Sequence, residues 1–288
     1  MNHRLTFLTL ALVAALASQG GEASAETPVE RGAYLVNGIA ACGNCHAPRG
    51  PDDVLPGPDL SGGPAIESPV FSAYPTNITP ALKTGLGGWT DEAIVAAIRE
   101  GRRPDGRVLR PPMPVAFYRS LSDTDAGAIA AYLRSVPAVE NQVPDSRYKI
   151  PAPTGYGPPL GAVPDVAVGD KLAYGSYLAQ LGHCLECHTP VGAGGQRDYA
   201  HRSGAGGMEL AGVWGRIASS NITPDRATGI GAWSDREIKV ALSTGIRPDG
   251  AQLAAPMPWY YFKTMKDADL DALVVWMRSL QPVVNKVR

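Results

Sequence analysis

The sequence predicts an all-α protein made of two copies of one module, and three observations carry that prediction. The five-residue stretch Cys42-Gly43-Asn44-Cys45-His46 returns as Cys184-Leu185-Glu186-Cys187-His188, and together they use all four cysteines. Three further stretches recur at a constant offset of 144: Asn77 to Pro80 with Asn221 to Pro224, Gly88 to Asp91 with Ala232 to Asp235, and Pro112-Met113-Pro114 with Pro256-Met257-Pro258. Apolar residues in the longest ordered stretches recur with helical spacing, and no stretch sustains strand alternation. A duplicated unit with one spacing is the signature of a module used twice.

The chain opens with a targeting segment, residues 1–25. Arg4 supplies a positive start, Leu5 to Ala17 an apolar run and Ala23-Ser24-Ala25 a small-residue cleavage site, so cleavage is expected after Ala25. The apolar run is shorter than the roughly 20 residues that span a bilayer. The mature chain is therefore expected to be periplasmic and to have no transmembrane segment.

The first module is expected over residues 26–136. Its first helix, about Val29 to Ile39, puts Tyr34, Leu35 and Ile39 on one side and runs into the first Cys pair. A middle helix opens with Thr90 as N-cap, carries Ile94, Ala97 and Ile98 as an apolar stripe, and stops at Gly101. The last helix is the clearest periodic segment: Ile129, Tyr132, Leu133 and Val136 fall at i, i+3, i+4 and i+7, with Ser122 as cap and Pro137 beyond the end. Residues 137–168 then contain seven prolines and little periodicity. Such a stretch reads as a semi-rigid connector, expected to lie along both modules.

The second module, residues 169–288, repeats the plan. Tyr174, Tyr177, Leu178 and Leu181 lead into its Cys pair, and Gly175 matches Gly32 where another helix could approach closely. Ser234 caps a helix carrying Ile238, Ala241 and Leu242 and stopping at Gly245, and Leu273, Trp276, Met277 and Leu280 form the last stripe. Net charge is −1 and is not segregated between the halves, which excludes a nucleic-acid footprint. With 33 glycines and 26 prolines, the chain suits small helical modules wrapped around a bulky group rather than one large side-chain core.

Two thiols three residues apart, followed at once by an imidazole, are what covalent haem attachment requires. Each thiol can add to one vinyl group of the porphyrin, which leaves His46 or His188 beside the iron. A thioredoxin-like dithiol would need a βαβ setting and would not explain the histidine. A zinc site built from both pairs would need ligands about 15 to 20 residues apart, far from the offset of 142 seen here. Two covalently attached haem c groups are expected, on Cys42 and Cys45 and on Cys184 and Cys187.

One histidine leaves the other face of each iron open, and methionine is the ligand that stabilises the ferrous state. Of six methionines, only Met113 and Met257 hold equivalent places, each in a proline-stiffened loop. Simple packing of these thioethers is the alternative. His201, in a glycine-rich loop, is an alternative ligand to Met257, and His183 reads as a pocket or surface residue. Arg99, Arg102, Arg103, Arg107 and Arg110 read either as a docking face or propionate partners, or as a solvated run. Trp259 to Phe262 read as packing near the haem.

At these residues the chain resembles class I cytochrome c, and more narrowly the cytochrome c subunits of bacterial dehydrogenases for alcohols, sugars and aldehydes. The resemblance implies two tandem class I domains, each of three main helices around a haem. It implies the axial pairs His46 with Met113 and His188 with Met257, with Trp89, Trp233 and the stretches beginning at Asn77 and Asn221 lining the pockets. It also implies a dehydrogenase as electron donor and a quinone pool, oxidase or another cytochrome as acceptor. The expected function is single-electron transfer without catalysis by the chain itself. The rival is a catalytic dihaem enzyme of the thiosulfate dehydrogenase or peroxidase kind.

Overall fold

A computed structural model describes residues 25–49, 59–193, 195–212, 215–254 and 256–287. Residues 1–24, where the targeting segment and most of its cleavage site are expected, lie outside the described residues. Helices account for 33% and strands for 8% of the fold, so the expectation of an all-α protein is refined to two mostly helical modules with small sheets.

In the first module, α1 (Pro28–Val36) starts at Thr27, whose hydroxyl accepts from the Glu30 amide while the Glu30 carboxylate accepts from the Thr27 amide. This box satisfies two donors that a helix start leaves without intrahelical partners. The helix ends at Val36, three residues earlier than its apolar spacing suggests, because the chain must turn into α2 (Gly43–His46). The residues before the two Cys motifs, Ala41 and His183, are left-handed at φ 44° and 38°, so both modules make the same tight entry. α3 (Asp91–Glu100) is capped by Thr90 and stopped by left-handed Gly101, α4 (Val115–Tyr118) follows the Met113 loop, and α5 (Asp123–Ser135) is capped by Ser122.

The second module repeats this with α6 (Lys171–Leu181), α7 (Cys184–His188), α8 (Asp235–Thr244), α9 (Trp259–Phe262) and α10 (Asp267–Ser279). α8 starts on a Ser234–Glu237 capping box and stops at left-handed Gly245. α1 crosses α5 and α6 crosses α10, and in each crossing a glycine lies against a carbonyl. A side chain on Gly32 would meet Ala128, and one on Gly175 would meet Ala272. The small residue lets the backbones approach closely.

The strands lie outside these helices. β1 (Ile66–Ser68) and β2 (Phe71–Ala73) form a hairpin joined by β3 (Arg147–Tyr148), and β4 (Glu209–Gly212) pairs antiparallel with β5 (Gly215–Ala218). At two to four residues each, they are too short to leave a period-two signal. β3 belongs to the proline-rich connector, which does not span both modules in its hydrogen bonding. Among the described residues its bonds to other segments go mainly to the first module: Asn77 donates to the Val139 carbonyl, the Tyr74 amide to Ser146 Oγ and the Tyr156 hydroxyl to the Leu109 carbonyl, and Asp123 and Val163 form a reciprocal pair.

The core runs through both modules. Leu35, Val36, Ile39, Ile94, Leu121 and Leu133 of the first join Leu178, Leu181, Ile238, Leu273 and Met277 of the second. Burying each of these side chains contributes about 1.5–3 kcal/mol relative to exposure.

Candidate haem sites

The cysteines of each motif stand three residues apart on a single helical turn, so their side chains share a face. None of the four is in a disulfide, and each is half-buried together with the histidine that follows it. Burial pushes the Cys42 and Cys184 thiols up to about 12 and Cys187 to about 11.

The histidines are oriented by backbone. His46 Nδ1 lies 2.7 Å from the carbonyl oxygen of Thr76, and His188 Nδ1 lies 2.7 Å from that of Ser220. A carbonyl only accepts, so Nδ1 carries the proton and Nε2 presents a lone pair, the arrangement that a metal-binding imidazole needs. Burial lowers the pKa of both rings, which keeps that lone pair available at neutral pH.

The orienting carbonyls are held by the repeated asparagines. Asn77 donates to Thr84 Oγ1 at 3.1 Å and to the Val139 carbonyl at 2.7 Å, while its Oδ1 accepts from the Thr79 amide and hydroxyl at 2.9 and 2.7 Å. Asn221 makes the same four bonds with Thr228, Val283 and Thr223. Asn77 and Asn221 are 2% and 4% exposed, and their hydrogen-bonding capacity goes to the protein. Their visible work is to fix the loop that aims Thr76 and Ser220 at the histidines.

Trp89 and Trp233 are half-buried and pack against the core. Arg134 and Arg278 of the last helices hold them in place, each donating to a tryptophan carbonyl and pairing with Asp91 or Asp235 at 2.9 Å. Met113 and Met257 are half-buried in matching loops, whose amides bond to Arg110 and Ala254 carbonyls. Two cysteines and an oriented imidazole on one turn, with a thioether loop in the same module, fit a covalently attached haem.

The other residues singled out in the sequence have different places. His183 is half-buried, with its ring edge-on to Tyr118 at 6.4 Å. His201 is exposed and bonded to Asp198 at 3.0 Å. The arginine run is largely neutralised locally: Arg99 pairs with Asp123, Arg102 with Glu100, and Arg103 and Arg107 with Asp105, while Arg110 lies over the Tyr148 ring. Trp259 to Phe262 form α9, which packs Tyr260 and Tyr261 against the first motif. Sequence reasoning missed this intermodule contact because neither sequence spacing nor helical periodicity reports on packing between modules.

Comparison with known proteins agrees with the duplication. A cytochrome c family model matches residues 29–137 and again 172–281. The chain is 35% identical over 277 residues to the fructose dehydrogenase cytochrome subunit of Gluconobacter japonicus, a match covering 90% of this chain and 54% of that one. It is 32% identical over 275 residues to the cytochrome c subunit of the quinone alcohol dehydrogenase of Gluconobacter oxydans, covering 90% and 56%. It is also 32% identical over 236 residues to a diheme cytochrome c-type protein of Cereibacter sphaeroides, covering 74% and 73%. The chain thus spans little more than half the length of the dehydrogenase subunits it matches.

Proposed function

The chain belongs to the cytochrome c family and carries two covalently attached haem c groups, and on that premise we propose that it relays single electrons from a dehydrogenase to a respiratory acceptor. When bound, haem supplies a one-electron iron couple. Cys42 and Cys45, and Cys184 and Cys187, would anchor the two groups; His46 and His188 would each hold an iron through Nε2, with Met113 and Met257 as the second protein ligands. Trp89 and Trp233 shape the pockets, while Asn77 and Asn221 set the histidine orientation through Thr76 and Ser220. The protein's part is to hold these donors still and to keep their surroundings apolar.

The duplicated constellation carries this reading: each module supplies two thiols, an oriented imidazole and a proline-flanked methionine. Two closed ligand sets suit electron exchange and offer a substrate no open position. The dehydrogenase subunits that this chain resembles motivate the donor, which we place among enzymes oxidising sugars or alcohols, with a quinone pool, an oxidase or another cytochrome as acceptor. The domains are residues 26–136 and 169–288, joined by the connector 137–168. Export of the chain to the periplasm, with residues 1–25 removed, completes the proposal. No helix among the described residues is long and apolar enough to cross a membrane.

The test is made on the reduced dihaem protein. Weak carbon monoxide binding at neutral pH, no peroxidase or thiosulfate turnover, and rapid reduction by a sugar or alcohol dehydrogenase with its substrate are expected. Stoichiometric carbon monoxide binding at one haem, together with turnover of a small substrate by the chain alone, would overturn it.

A further inference from the structure

The segments that lead into the two Cys-x-x-Cys-His turns meet across the module boundary. A side chain on Gly182, two residues before the second motif, would meet Ile39, three residues before the first. α9 lies over the first turn. Tyr260 donates a hydrogen bond from its hydroxyl to Oδ1 of Asn44, which sits between Cys42 and Cys45. Beside it Tyr261, 8% exposed, brings its hydroxyl against Gly43, where any side chain would collide with it.

The hydrogen bond has no counterpart among the described residues on the other side, where α4 meets the second module through rings alone: Phe117 lies edge-on to Tyr199 at 6.3 Å and Tyr118 to His183 at 6.4 Å. The residue equivalent to Tyr260 is Ala116, which has no hydroxyl to donate, and the residue equivalent to Gly43 is Leu185. Glu186, the equivalent of Asn44, is held within its own module by Arg197 at 3.0 Å and Tyr199 at 3.2 Å. Since α4 folds at the same place in the repeat without such a bond, the Tyr260–Asn44 link is not a requirement of the module's fold.

Tyr260 also stands three residues beyond Met257. Electronic coupling falls off more slowly along covalent bonds and a hydrogen bond than across a through-space gap. The route Met257, Pro258, Trp259, Tyr260 to Asn44 and Cys45 is continuous in those terms. Resting on the ligand reading above, we infer that Tyr260 is a positioning residue for electron exchange between the two modules, holding the Met257 loop of one against the haem-attachment turn of the other. One electron leaves one site, which is oxidised, and arrives at the other, which is reduced. No proton moves, because Tyr260 remains a neutral, hydrogen-bonded phenol throughout.

The experiment compares the intact dihaem protein with Tyr260→Phe, Asn44→Ala and Tyr34→Phe. The last removes a different intermodule hydroxyl, one that donates to Asp269. Exchange NMR of haem methyl signals in partly reduced samples reads the rate between modules, and redox titration reads both potentials. Tyr260→Phe and Asn44→Ala should each slow exchange beyond the error of the parent rate, with both potentials kept. Tyr34→Phe, which loosens the boundary away from the attachment turn, should slow exchange less than either. A parental rate in Tyr260→Phe, or equal slowing in Tyr34→Phe, would overturn the inference. The ligand reading fails separately, by absence of the sulfur-to-iron absorption band in the parent protein.

Discussion

Tyr34 of the first module donates a 2.5 Å hydrogen bond from its hydroxyl to Asp269 of the second, and the bond is returned with near symmetry: Tyr177 of the second donates at 2.6 Å to Asp125 of the first. Both aspartates are about 95% buried, at 4% and 5% exposure. Asp125 also pairs with Arg31 at 2.7 Å, whereas Asp269 has Tyr174 as a second, longer partner at 3.5 Å. The module boundary is therefore latched twice by tyrosine on carboxylate, in a setting where an unsatisfied charge is costly.

Tyr34→Phe should destabilise the protein by about 1.5–3 kcal/mol, the range for a hydrogen bond to a charged group. Tyr177→Phe should cost less, because Asp125 keeps its arginine. Urea unfolding of the two variants checks the order.

Replacing Gly32 or Gly175 by Ala should weaken the crossing of α1 with α5 or α6 with α10. The added methyl would lie 2.6 Å from a carbonyl carbon in either case, so the helices must separate. Overpacking of this kind costs about 1–3 kcal/mol, and it is read as a lower thermal midpoint.

Asn77→Ala removes four hydrogen bonds and frees the loop that aims Thr76 at His46. The altered module should show a shifted potential and a broadened haem spectrum, while the module governed by Asn221 changes little. Leaving the buried partners unsatisfied should also cost about 1–3 kcal/mol. Spectroelectrochemistry resolves the first effect and chemical denaturation the second.

Mass spectrometry of the denatured mature chain should find two haems, and Cys-to-Ala changes in one pair should remove one. Met113→His or Met257→His should abolish the sulfur-to-iron band of that module alone and lower its potential. Retention of both bands in the double variant would show that other residues complete the irons.

Acid should loosen the connector first. The Arg99 side chain holds the Asp123 carboxyl below its ordinary value of 3.8, and the Thr84 hydroxyl holds Glu140 below 4.5. Groups so depressed stabilise the folded state above their unfolded values and lose that contribution as pH falls through the lower folded ones. Hydrogen exchange of the connector amides should therefore rise below about pH 4 in the parent, with less change in Asp123→Asn.

Much of this protein was legible in the chain itself because its signals are local. The Cys-x-x-Cys-His turns, the caps Thr90, Ser122 and Ser234, and the stops Gly101 and Gly245 are each set by residues within one or two turns of helix, and they stand where spacing places them. The offset of 144 disclosed two modules for the same reason: a duplicated sequence repeats its local chemistry. The hairpins escaped notice because their strands are too short for alternation to accumulate. What only the tertiary structure decided are relations between residues far apart in sequence: Asn77 fixing the carbonyl that orients His46, Tyr34 reaching Asp269, the connector folding back on the first module, and Tyr260 crossing to Asn44. Those depend on how two curved, apolar surfaces come together, and packing of that kind leaves no period in the sequence that makes it.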